Sequence, residues 1–442
     1  MAKAKANPWN TLAALAAGYF CVLFDQGFMP VVTPLLPYEV NSAVWLTSIF
    51  LLCSVAPMPA AGRLGDAYGQ RRLFLLGLGL AAFGLLLAGA SWSFGSLVVA
   101  RAVQGTGVAL FLPQAFALIP QLFDDRLHGR AFAVWGVVGS AASLLGPVLG
   151  GAIVGSAGWR AGFFVQAFLC AVSLVAAAAW VPQRGRGTAN VPVIGMALSF
   201  GSLGALVHGI QFGSWSGILI GAIGLAVLVL AARNGTDRGF LPLALLRNRT
   251  FALGTFGVTA MGFTVASMFI PLMYWLQTVA GATPSRAGMV TVPMSVVAMI
   301  ATPVAGRLTD SGDPRALCVA GFVLQAAGLG LVAGMMFLGM GPWWFAGATA
   351  IIGLGSAFVW APNAALTLGG IPDADAGAAS GLYNTARQVG SVLGVAATGA
   401  VLAAGEVATT APIAVVVPAA AMVLGAVSAA LLPSRASVGV KR

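Results

Sequence analysis

The sequence has very little charge. Asp, Glu, Lys and Arg make up 7% of its 442 residues, whereas hydrophobic residues make up 59%. Soluble domains carry about 25% charged residues, because water must solvate their surface. A chain with so few charges must instead face lipid. The composition therefore predicts a membrane protein and excludes an ordinary soluble fold.

Histidine and cysteine are also scarce, with two and four residues. The cysteines (Cys21, Cys53, Cys170 and Cys318) lie far apart within apolar segments, so we interpret them as buried thiols. No zinc or metal spacing is present, and we expect no metal and no cofactor. The phosphate-binding pattern Gly-x-x-x-x-Gly-Lys-Ser/Thr is missing, which argues against an ATP motor. We predict that the protein is not an enzyme.

Long apolar segments dominate what is present. A membrane-spanning helix needs about 20 mainly apolar residues, and fourteen segments meet this requirement. They are residues 9–36, 42–61, 73–92, 95–118, 129–154, 160–182, 191–212, 215–232, 252–279, 284–305, 316–338, 341–366, 376–404 and 410–432. The predicted fold class is an all-α membrane protein with fourteen transmembrane helices.

The basic residues predict the orientation. With the N terminus in the cytoplasm, eighteen of the 22 Lys and Arg residues fall in cytoplasmic segments: Lys3, Lys5, Arg63, Arg71, Arg72, Arg126, Arg130, Arg184, Arg186, Arg233, Arg238, Arg247, Arg249, Arg307, Arg315, Arg435, Lys441 and Arg442. Only Arg160 and Arg286 fall in segments on the outer side of the membrane, and Arg101 and Arg387 lie within spans. This bias follows the positive-inside rule, so we expect both termini in the cytoplasm and no nucleic-acid partner. A twelve-span arrangement without the middle pair fits the charges equally well.

A charged, glycine-rich turn at residues 62–72 returns in part at residues 306–315. We interpret each copy as a short hairpin between two apolar spans. The copies begin at nearly equal distances from the starts of the spans at residues 9 and 251, which predicts two similar halves. The predicted domains are six-helix bundles at 9–182 and 251–432, with two extra helices and a cytoplasmic loop at 183–250. The surplus segment favours fourteen spans over twelve.

Three motifs resemble signatures of the major facilitator superfamily. The first turn matches the family's signature loop at Gly62, Leu64, Asp66, Gly69, Arg71 and Arg72. Residues 101–107 resemble its span-4 motif Arg-x-x-Gln-Gly-x-Gly. Gly139 and residues 146–151 resemble its span-5 antiporter motif, with Ala142 replacing one glycine.

Residues 158–160 before span 6 and residues 384–390 in span 13 resemble the fourteen-span drug:H⁺ antiporter branch of that family. In span 1, Asp25 and Pro34 match this branch, but Gly27 and Pro30 replace its usual Thr and Asn. The resemblance implies alternating access of the two bundles. It also implies a proton-coupled exporter of lipophilic or cationic compounds, with drug efflux and antibiotic resistance as its role. The expected location is the cell (inner) membrane, which the chain crosses several times as a monomer. The expected partners are a small-molecule substrate, protons and the lipid bilayer.

Asp25 is the only carboxylate that the sequence places deep within a span. A charge at that depth costs at least ~2.5 kcal/mol, so its presence needs a reason. We predict that Asp25 is a proton-coupling site and that Arg101 of span 4 is its partner. The alternatives are a structural ion pair for Asp25 and a packing role for Arg101, satisfied by carbonyl groups and Gln104.

Further roles follow from the resemblance. The predicted gating residues are Gly62, Asp66, Gly69, Arg71, Arg72, Gly146, Pro147, Gly150, Gly151, Asp310 and Arg387. The predicted substrate-binding residues are Gln114, Gln166, Met268, Tyr274, Gln277, Trp360, Asn363, Tyr383 and Asn384. Two alternative functions stay open: transport of a physiological lipid, sugar or amino-acid-like metabolite by the same fold, and a non-transporting membrane receptor or channel.

Overall fold

The computed structural model describes residues 7–123, 125–183, 193–233, 243–372 and 375–433. Eight basic residues of the predicted cytoplasmic segments lie outside them: Lys3, Lys5, Arg184, Arg186, Arg238, Arg435, Lys441 and Arg442. The side chains of Arg126 and Arg233 are also outside the description. Helices joined by short turns form nearly all of the described chain. Helices suit a membrane because they satisfy their own backbone hydrogen bonds.

The helices before residue 234 are α1 (Pro8–Val32), α2 (Val40–Val55), α3 (Met58–Tyr68), α4 (Gln70–Gly89), α5 (Phe94–Leu122), α6 (Asp125–Trp180), α7 (Val193–Phe212) and α8 (Trp215–Arg233). Those after residue 242 are α9 (Arg249–Ser267), α10 (Phe269–Tyr274), α11 (Pro284–Met289), α12 (Val292–Ser311), α13 (Pro314–Phe337), α14 (Phe345–Leu368), α15 (Ala376–Leu402) and α16 (Val407–Ala430). A π-helical turn, Trp275–Val279, follows α10.

Polar residues at the helix starts explain several boundaries. The Asn7 side chain accepts a hydrogen bond from the Trp9 backbone N–H, and Asn248 caps α9 in the same way. Ser93 and Ser96 form a reciprocal capping box at the start of α5. Such caps satisfy donors that the first helical turn leaves without partners. The helix ends are therefore encoded locally by the sequence.

The charged turn at residues 62–72 is not the hairpin loop that the sequence predicts. α3 continues through the motif to Tyr68, and α4 begins at Gln70, so the turn is a single residue, Gly69. Gly69 has φ 98°, a backbone conformation that a residue without a Cβ adopts most readily. In the second copy, α12 continues to Ser311 and ends at Gly312. Both motifs are therefore mostly helical.

Nine helical segments of the described chain are long and apolar enough to cross a bilayer, and a bent pair, Val40–Val55 with Ala60–Tyr68, makes a tenth. α6 counts once here, although Gly158 breaks it between two predicted spans. α7 and α8 hold shorter apolar stretches, Ala197–Phe212 and Trp215–Ala231. The chain is therefore a multi-span membrane protein, while the number fourteen stays a prediction.

Large apolar side chains lie exposed on the helices. Leu76 of α4, Phe168 and Val175 of α6, Ile220 of α8 and Ile300 of α12 are each at least 62% exposed. Large exposed apolar surfaces are rare on soluble monomers. These faces suit contact with lipid acyl chains.

The described chain forms two compact units. The first contains the residues up to Tyr38 and Leu46–Gly204, and the second contains Glu39–Trp45 and the residues from Ala205 onward. α2 and α7 therefore each contribute residues to both units.

The two units repeat one close helix contact. In the first unit, a methyl group added to Gly107 of α5 would lie 2.6 Å from the Gly77 carbonyl oxygen of α4. In the second unit, a methyl group added to Gly355 of α14 would lie 2.6 Å from the Gly321 carbonyl oxygen of α13. Small residues at these points let the helix backbones approach closely. The same packing device thus serves both units.

Candidate functional site

Asp25 and Arg101 form a buried ion pair in the first unit. Arg101 Nη1 donates to Asp25 Oδ1 at 2.8 Å, and Nη2 donates to Oδ2 at 3.0 Å. The two side chains are 1% and 0% exposed. A parallel pair of such bonds gives both strength and a fixed geometry. The structure therefore joins the acid of α1 to the arginine of α5, as the sequence predicts.

Other groups complete the surroundings of the Arg101 guanidinium. Its Nη1 also donates to Gln104 Oε1 at 2.6 Å, and its Nε donates to the Leu46 carbonyl oxygen at 3.3 Å. Its Cζ atom lies 4.4 Å from the centre of the Phe50 ring and 6.0 Å from that of Phe163. The aromatic faces attract the cation while they exclude water. Residues of α2, α5 and α6 thus hold the arginine in a single orientation.

The glycines of the span-4 motif explain how α5 brings Arg101 to this position. A methyl group on Gly105 would lie 2.4 Å from the Phe50 carbonyl oxygen of α2, and one on Gly107 would lie 2.4 Å from the Ala81 nitrogen of α4. α5 is therefore packed closely between α2 and α4. This close approach places Arg101, one turn before Gly105, beside the α2 backbone.

The span-5 motif brings α6 against α1 next to Asp25. A methyl group on Gly146 would lie 2.8 Å from the Phe24 carbonyl oxygen, and one on Gly27 would lie 2.7 Å from the Pro147 ring. The contact with Pro147 leaves little room for a side chain at Gly27. Gly146, Pro147, Gly150 and Gly151 are all buried.

The second unit repeats the α2–α5 contact. A methyl group on Gly353 of α14 would lie 2.1 Å from the Met294 carbonyl oxygen of α12. Thr349, four residues before Gly353, stands where Arg101 stands before Gly105. Its hydroxyl donates to the Val290 carbonyl oxygen at 2.9 Å, as the Arg101 guanidinium donates to a backbone carbonyl of α2. The second unit thus carries a neutral hydroxyl at the position of the arginine.

The position of Asp25 is also neutral in the second unit. A methyl group on Gly394 of α15 would lie 2.2 Å from the Phe263 carbonyl oxygen, which parallels the contact between α6 and α1. The residue after Phe263 is Thr264, and its hydroxyl donates to the Pro418 carbonyl oxygen at 3.1 Å. The repeated framework therefore holds the Asp25–Arg101 charge pair in its first copy and threonines in its second.

Predicted gating residues differ in their environments. Asp66 and Arg72 are exposed and Gly62 is half-buried, whereas Gly69 is buried at the turn. Asp66 lies in the last turn of α3, shortly before Gly69. Asp310 lies inside α12 and is exposed.

Arg71 and Arg315 make the same contact in the two units. Arg71 Nη2 donates to the Ala178 carbonyl oxygen near the end of α6 at 2.7 Å. Arg315 Nη2 donates to the Ala430 carbonyl oxygen, the last residue of α16. A cation at a helix C terminus satisfies its open carbonyl groups and complements its dipole. The arginines after both turns therefore bind the C-terminal ends of α6 and α16.

The predicted substrate-binding residues of the second unit include a buried polar cluster. Asn363 Oδ1 accepts hydrogen bonds from the Tyr383 hydroxyl at 3.0 Å and from the Thr367 hydroxyl at 3.1 Å. Nearby, the Arg387 Cζ atom lies 5.9 Å from the centre of the Trp360 ring. Asn363 and Tyr383 are 1% and 6% exposed. The structure thus brings two of the predicted residues into direct contact.

The remaining predicted substrate-binding residues do not share one environment. Gln114 is buried and donates to the Ala61 carbonyl oxygen at 2.7 Å, so it joins α5 to α3. Asn384 is exposed and donates to the Ser380 carbonyl oxygen of its own helix. The others are the buried Gln166, Met268 and Tyr274 and the half-buried Gln277.

Several residues around the ion pair are absent from the sequence predictions. Leu46 and Phe50 lie four residues apart on α2, which places them on one helix face, but the sequence does not show which face meets Arg101. Phe163 is missed for the same reason. In the Asn363 cluster of the second unit, Thr367 is also absent from the sequence predictions. It follows Asn363 by one helical turn, and the sequence does contain that spacing.

The fold and the ion pair define a multi-pass helical membrane protein with paired charges inside its first unit. The family model of the Major Facilitator Superfamily matches residues 15–395 and, a second time, residues 251–440. The chain belongs to the Major Facilitator Superfamily. It is accordingly a member of a family of membrane transporters and not an enzyme.

Similar curated proteins agree with this assignment. An uncharacterized MFS-type transporter of Mycobacterium tuberculosis is 32% identical, covering 90% of this chain and 70% of that protein. The tetracenomycin C resistance and export protein of Streptomyces glaucescens is 29% identical, covering 90% and 76%. The multidrug resistance protein Stp of Mycobacterium tuberculosis is 28% identical, covering 89% and 75%.

A solved structure shares the fold. The crystal structure of the POT family transporter PepTSo superposes with a TM-score of 0.72, covering 95% of this chain and 97% of that one. The two sequences are 15% identical, so the likeness concerns the fold alone.

Proposed function

We propose that this protein is a proton-coupled antiporter that exports lipophilic or cationic compounds, including drugs, from the cytoplasm across the cell (inner) membrane. The buried Asp25–Arg101 pair carries this proposal. The relatives of the chain include an export protein for tetracenomycin C and a multidrug resistance protein, which supports the proposed substrate class.

The ion pair supplies a protonation-dependent contact. Ionised Asp25 accepts two hydrogen bonds from Arg101, and a proton on the carboxyl group removes the charge that this contact requires. Proton binding then weakens the link between α1 and α5, and proton release restores it. A proton entering from outside and leaving to the cytoplasm thus drives one cycle of alternating access.

The transport cycle needs a specific topology. We propose fourteen spans with both termini in the cytoplasm and a monomeric protein. Its bundles are residues 9–182 and 251–432, with residues 183–250 between them. The gating residues are those predicted from the sequence. Arg71 supports such a role because it links the start of α4 to the end of α6.

The substrate site is proposed to include Asn363, Tyr383 and Trp360 of the second unit. Their neighbouring residues in the described structure combine aromatic rings with a few polar groups, which suits an amphipathic ligand.

The experiment uses purified protein in liposomes with a pH-sensitive dye inside and ethidium as a lipophilic cation. An ethidium gradient should drive proton flux in the wild type. Asp25→Asn should abolish this proton flux, because the amide cannot exchange a proton. The control is Glu406→Gln, which changes an exposed carboxylate just before α16 that has no proposed role in transport and should keep proton flux coupled to ethidium movement. Unchanged coupling in Asp25→Asn contradicts the proposal.

Two alternatives make different predictions for the same assay. A same-fold transporter of a physiological lipid, sugar or amino-acid-like metabolite would use the proton gradient to move such a compound and would not move ethidium. A receptor or channel would show no gradient-driven uphill movement with either kind of ligand.

A further inference from the structure

Gln166 is a fully buried side chain whose oxygen atom has no hydrogen-bond partner among the described residues. It lies in the second part of α6 and is 0% exposed. Its Nε2 donates to the Gly162 carbonyl oxygen at 3.3 Å, whereas no hydrogen bond reaches its Oε1 from the described residues. Buried polar atoms are rarely left without partners, because the loss of hydration is unfavourable. The oxygen therefore calls for a donor that this state does not provide.

The orientation of the Gln166 amide follows from its neighbour. A carbonyl oxygen only accepts hydrogen bonds, so the amide nitrogen must face Gly162. Exchanging the nitrogen and oxygen would bring two acceptors together. The Gln166 oxygen therefore points away from its own helix backbone.

Contacts at two levels define the register between α1 and the second part of α6. The Ser173 hydroxyl donates to the Ala14 carbonyl oxygen at 3.1 Å. About four turns further along α1, the rings of Phe28 and Phe163 meet edge to face with centroids 5.5 Å apart. From the first contact to the second, the residue numbers rise along α1 and fall along α6, so the two helices run antiparallel.

This register brings Gln166 level with Asp25. Asp25 lies three residues before Phe28, and Gln166 lies three residues after Phe163, so each is one turn from the aromatic contact on the same helix face. Phe163 also lies 6.0 Å from the Arg101 Cζ atom, which places this face of α6 beside the ion pair.

A pair of thiols supports the same alignment. The Cys170 thiol of α6 lies close enough to the Cys21 thiol of α1 to interact with it, and it lies within electrostatic reach of the Asp25 carboxylate. Cys21 is one turn before Asp25, and Cys170 is one turn after Gln166. The two polar side chains are thus enclosed between the thiol contact and the aromatic contact.

The ionised Asp25 carboxylate cannot donate a hydrogen bond to the Gln166 oxygen, because it carries no O–H group. Both of its oxygens accept hydrogen bonds from Arg101. A protonated carboxyl group differs, since it carries one O–H donor. We propose that Gln166 Oε1 accepts a hydrogen bond from Asp25 when that carboxyl group is protonated. Gln166 is then a positioning residue for the proton carrier and not a substrate ligand.

The inference rests on the proposed proton-coupled function and adds the group that stabilises the protonated state. The proton comes from water on the accessible side and returns to water on the other side, so the step needs no further reactant. Asp25 gains an O–H bond and loses its charge. Arg101 keeps its bonds to Gln104 and the Leu46 carbonyl group in the meantime.

Among the residues that the structure describes, few ionisable groups face this position. They are Asp25 and Cys21 on α1, Arg101 on α5 and Cys170 on α6 itself. Arg160, on α6 just after Gly158, donates to the Ser91 carbonyl oxygen, and Arg71 donates to the Ala178 carbonyl oxygen near the end of α6, so both bonds lie at the two ends of the part of α6 that carries Gln166. The hydrogen bond to Gln166 is therefore expected to form and break with the protonation of Asp25 in its pair with Arg101.

The experiment is an infrared pH titration of the purified full-length protein. The carboxyl band of Asp25 is identified by its loss in Asp25→Asn. Gln166→Met, which keeps the length of the side chain and removes its polar atoms, should shift the midpoint of this band to lower pH by about one unit, as expected for one lost hydrogen bond. The C=O stretching frequency should rise, because the carboxyl group is less strongly hydrogen-bonded.

Gln325→Met is the matched control. Gln325 is also 0% exposed and has a buried Oε1 without a hydrogen bond among the described residues, but it lies in the second unit, where its Nε2 contacts Met261. This variant should leave the Asp25 band unchanged. If Gln166→Met does not fold, Gln166→Asn, whose amide is one methylene shorter, should shift the midpoint in the same direction.

The inference is overturned if the Asp25 band of the folded Gln166 variant keeps the wild-type midpoint and frequency, or if no Asp25 band titrates in the wild type. The titration needs no substrate. Absence of ethidium-driven proton flux in the wild type would therefore overturn the proposed function while leaving this inference to the infrared result.

Discussion

At the residue scale, the Arg101 side chain makes four hydrogen bonds in the described structure, two to Asp25 and one each to Gln104 and the Leu46 carbonyl oxygen. An arginine can satisfy this set because its guanidinium is a planar fork of five N–H donors. Lysine has one ammonium group and cannot make the paired contact. The pair therefore depends on both partners being present.

We predict that removing the charges together is less harmful than removing Arg101 alone. Arg101→Met leaves Asp25 buried without a counter-ion, which typically costs about 3–5 kcal/mol. The double variant Asp25→Asn with Arg101→Met avoids that charge. Thermal unfolding in detergent should give a lower midpoint for the single variant than for the double variant.

The single variant Asp25→Asn completes this double-mutant cycle. Additive changes in the unfolding midpoint would contradict a direct interaction between Asp25 and Arg101. Both singles and the double should fail to couple proton flux, since each removes the protonation-dependent contact.

At the scale of the elements, glycines decide how closely the helices approach. The sequence shows that the motifs around Arg101 and Gly146 are rich in glycine, and it predicts close packing there. It does not show the partner atoms, because these depend on which faces of distant helices meet. The contact of Gly105 with the Phe50 carbonyl oxygen and that of Gly27 with Pro147 are examples.

We predict that Gly105→Ala destabilises the protein. The new methyl group would lie 2.4 Å from the Phe50 carbonyl oxygen, so α2 must move away from α5. Such overpacking typically costs about 1–3 kcal/mol. The unfolding midpoint should fall, and ethidium-driven proton flux should fall with it, because α2 also carries the carbonyl group that Arg101 contacts.

Gly136→Ala is the matched control for this prediction. Gly136 lies inside α6, and a methyl group there would meet no atom within 4 Å. Alanine favours a helix over glycine by about 1 kcal/mol, so the unfolding midpoint should stay equal or rise. An equal fall for both variants would mean that the close contact with Phe50 is not the cause.

At the scale of the whole molecule, the sequence predicts the family, the helical architecture and the pairing of Asp25 with Arg101. These rest on long apolar segments and on motifs with fixed spacing. It fails at the charged turn, where Gly69 alone separates α3 from α4 and the charged residues lie within these two helices. It does not show that the Gln114 side chain bonds to the Ala61 carbonyl group of α3, and the substrate-binding role of Gln114 stays a prediction. Hydropathy does not encode which face of a uniformly apolar helix is buried.

The number of spans is testable through the residues between α7 and α8. Fourteen spans place Ser216, an exposed residue at the start of α8, near the outer face, whereas a twelve-span arrangement without this pair keeps it in the cytoplasm. We predict that Ser216→Cys, in a background in which the four native cysteines are replaced by serine, reacts with a membrane-impermeant maleimide added outside intact cells.

Two exposed positions calibrate this labelling. Glu406→Cys, beside the start of α16, should react from outside, and Ser311→Cys, at the end of α12, should react only after the cells are opened. Protection of Ser216→Cys to the same degree as Ser311→Cys would contradict fourteen spans and favour twelve. Because α7 and α8 pack against each other through Gly209 and Gly221, they are expected to insert as one hairpin, so Ser216 should be labelled completely and not as a mixture.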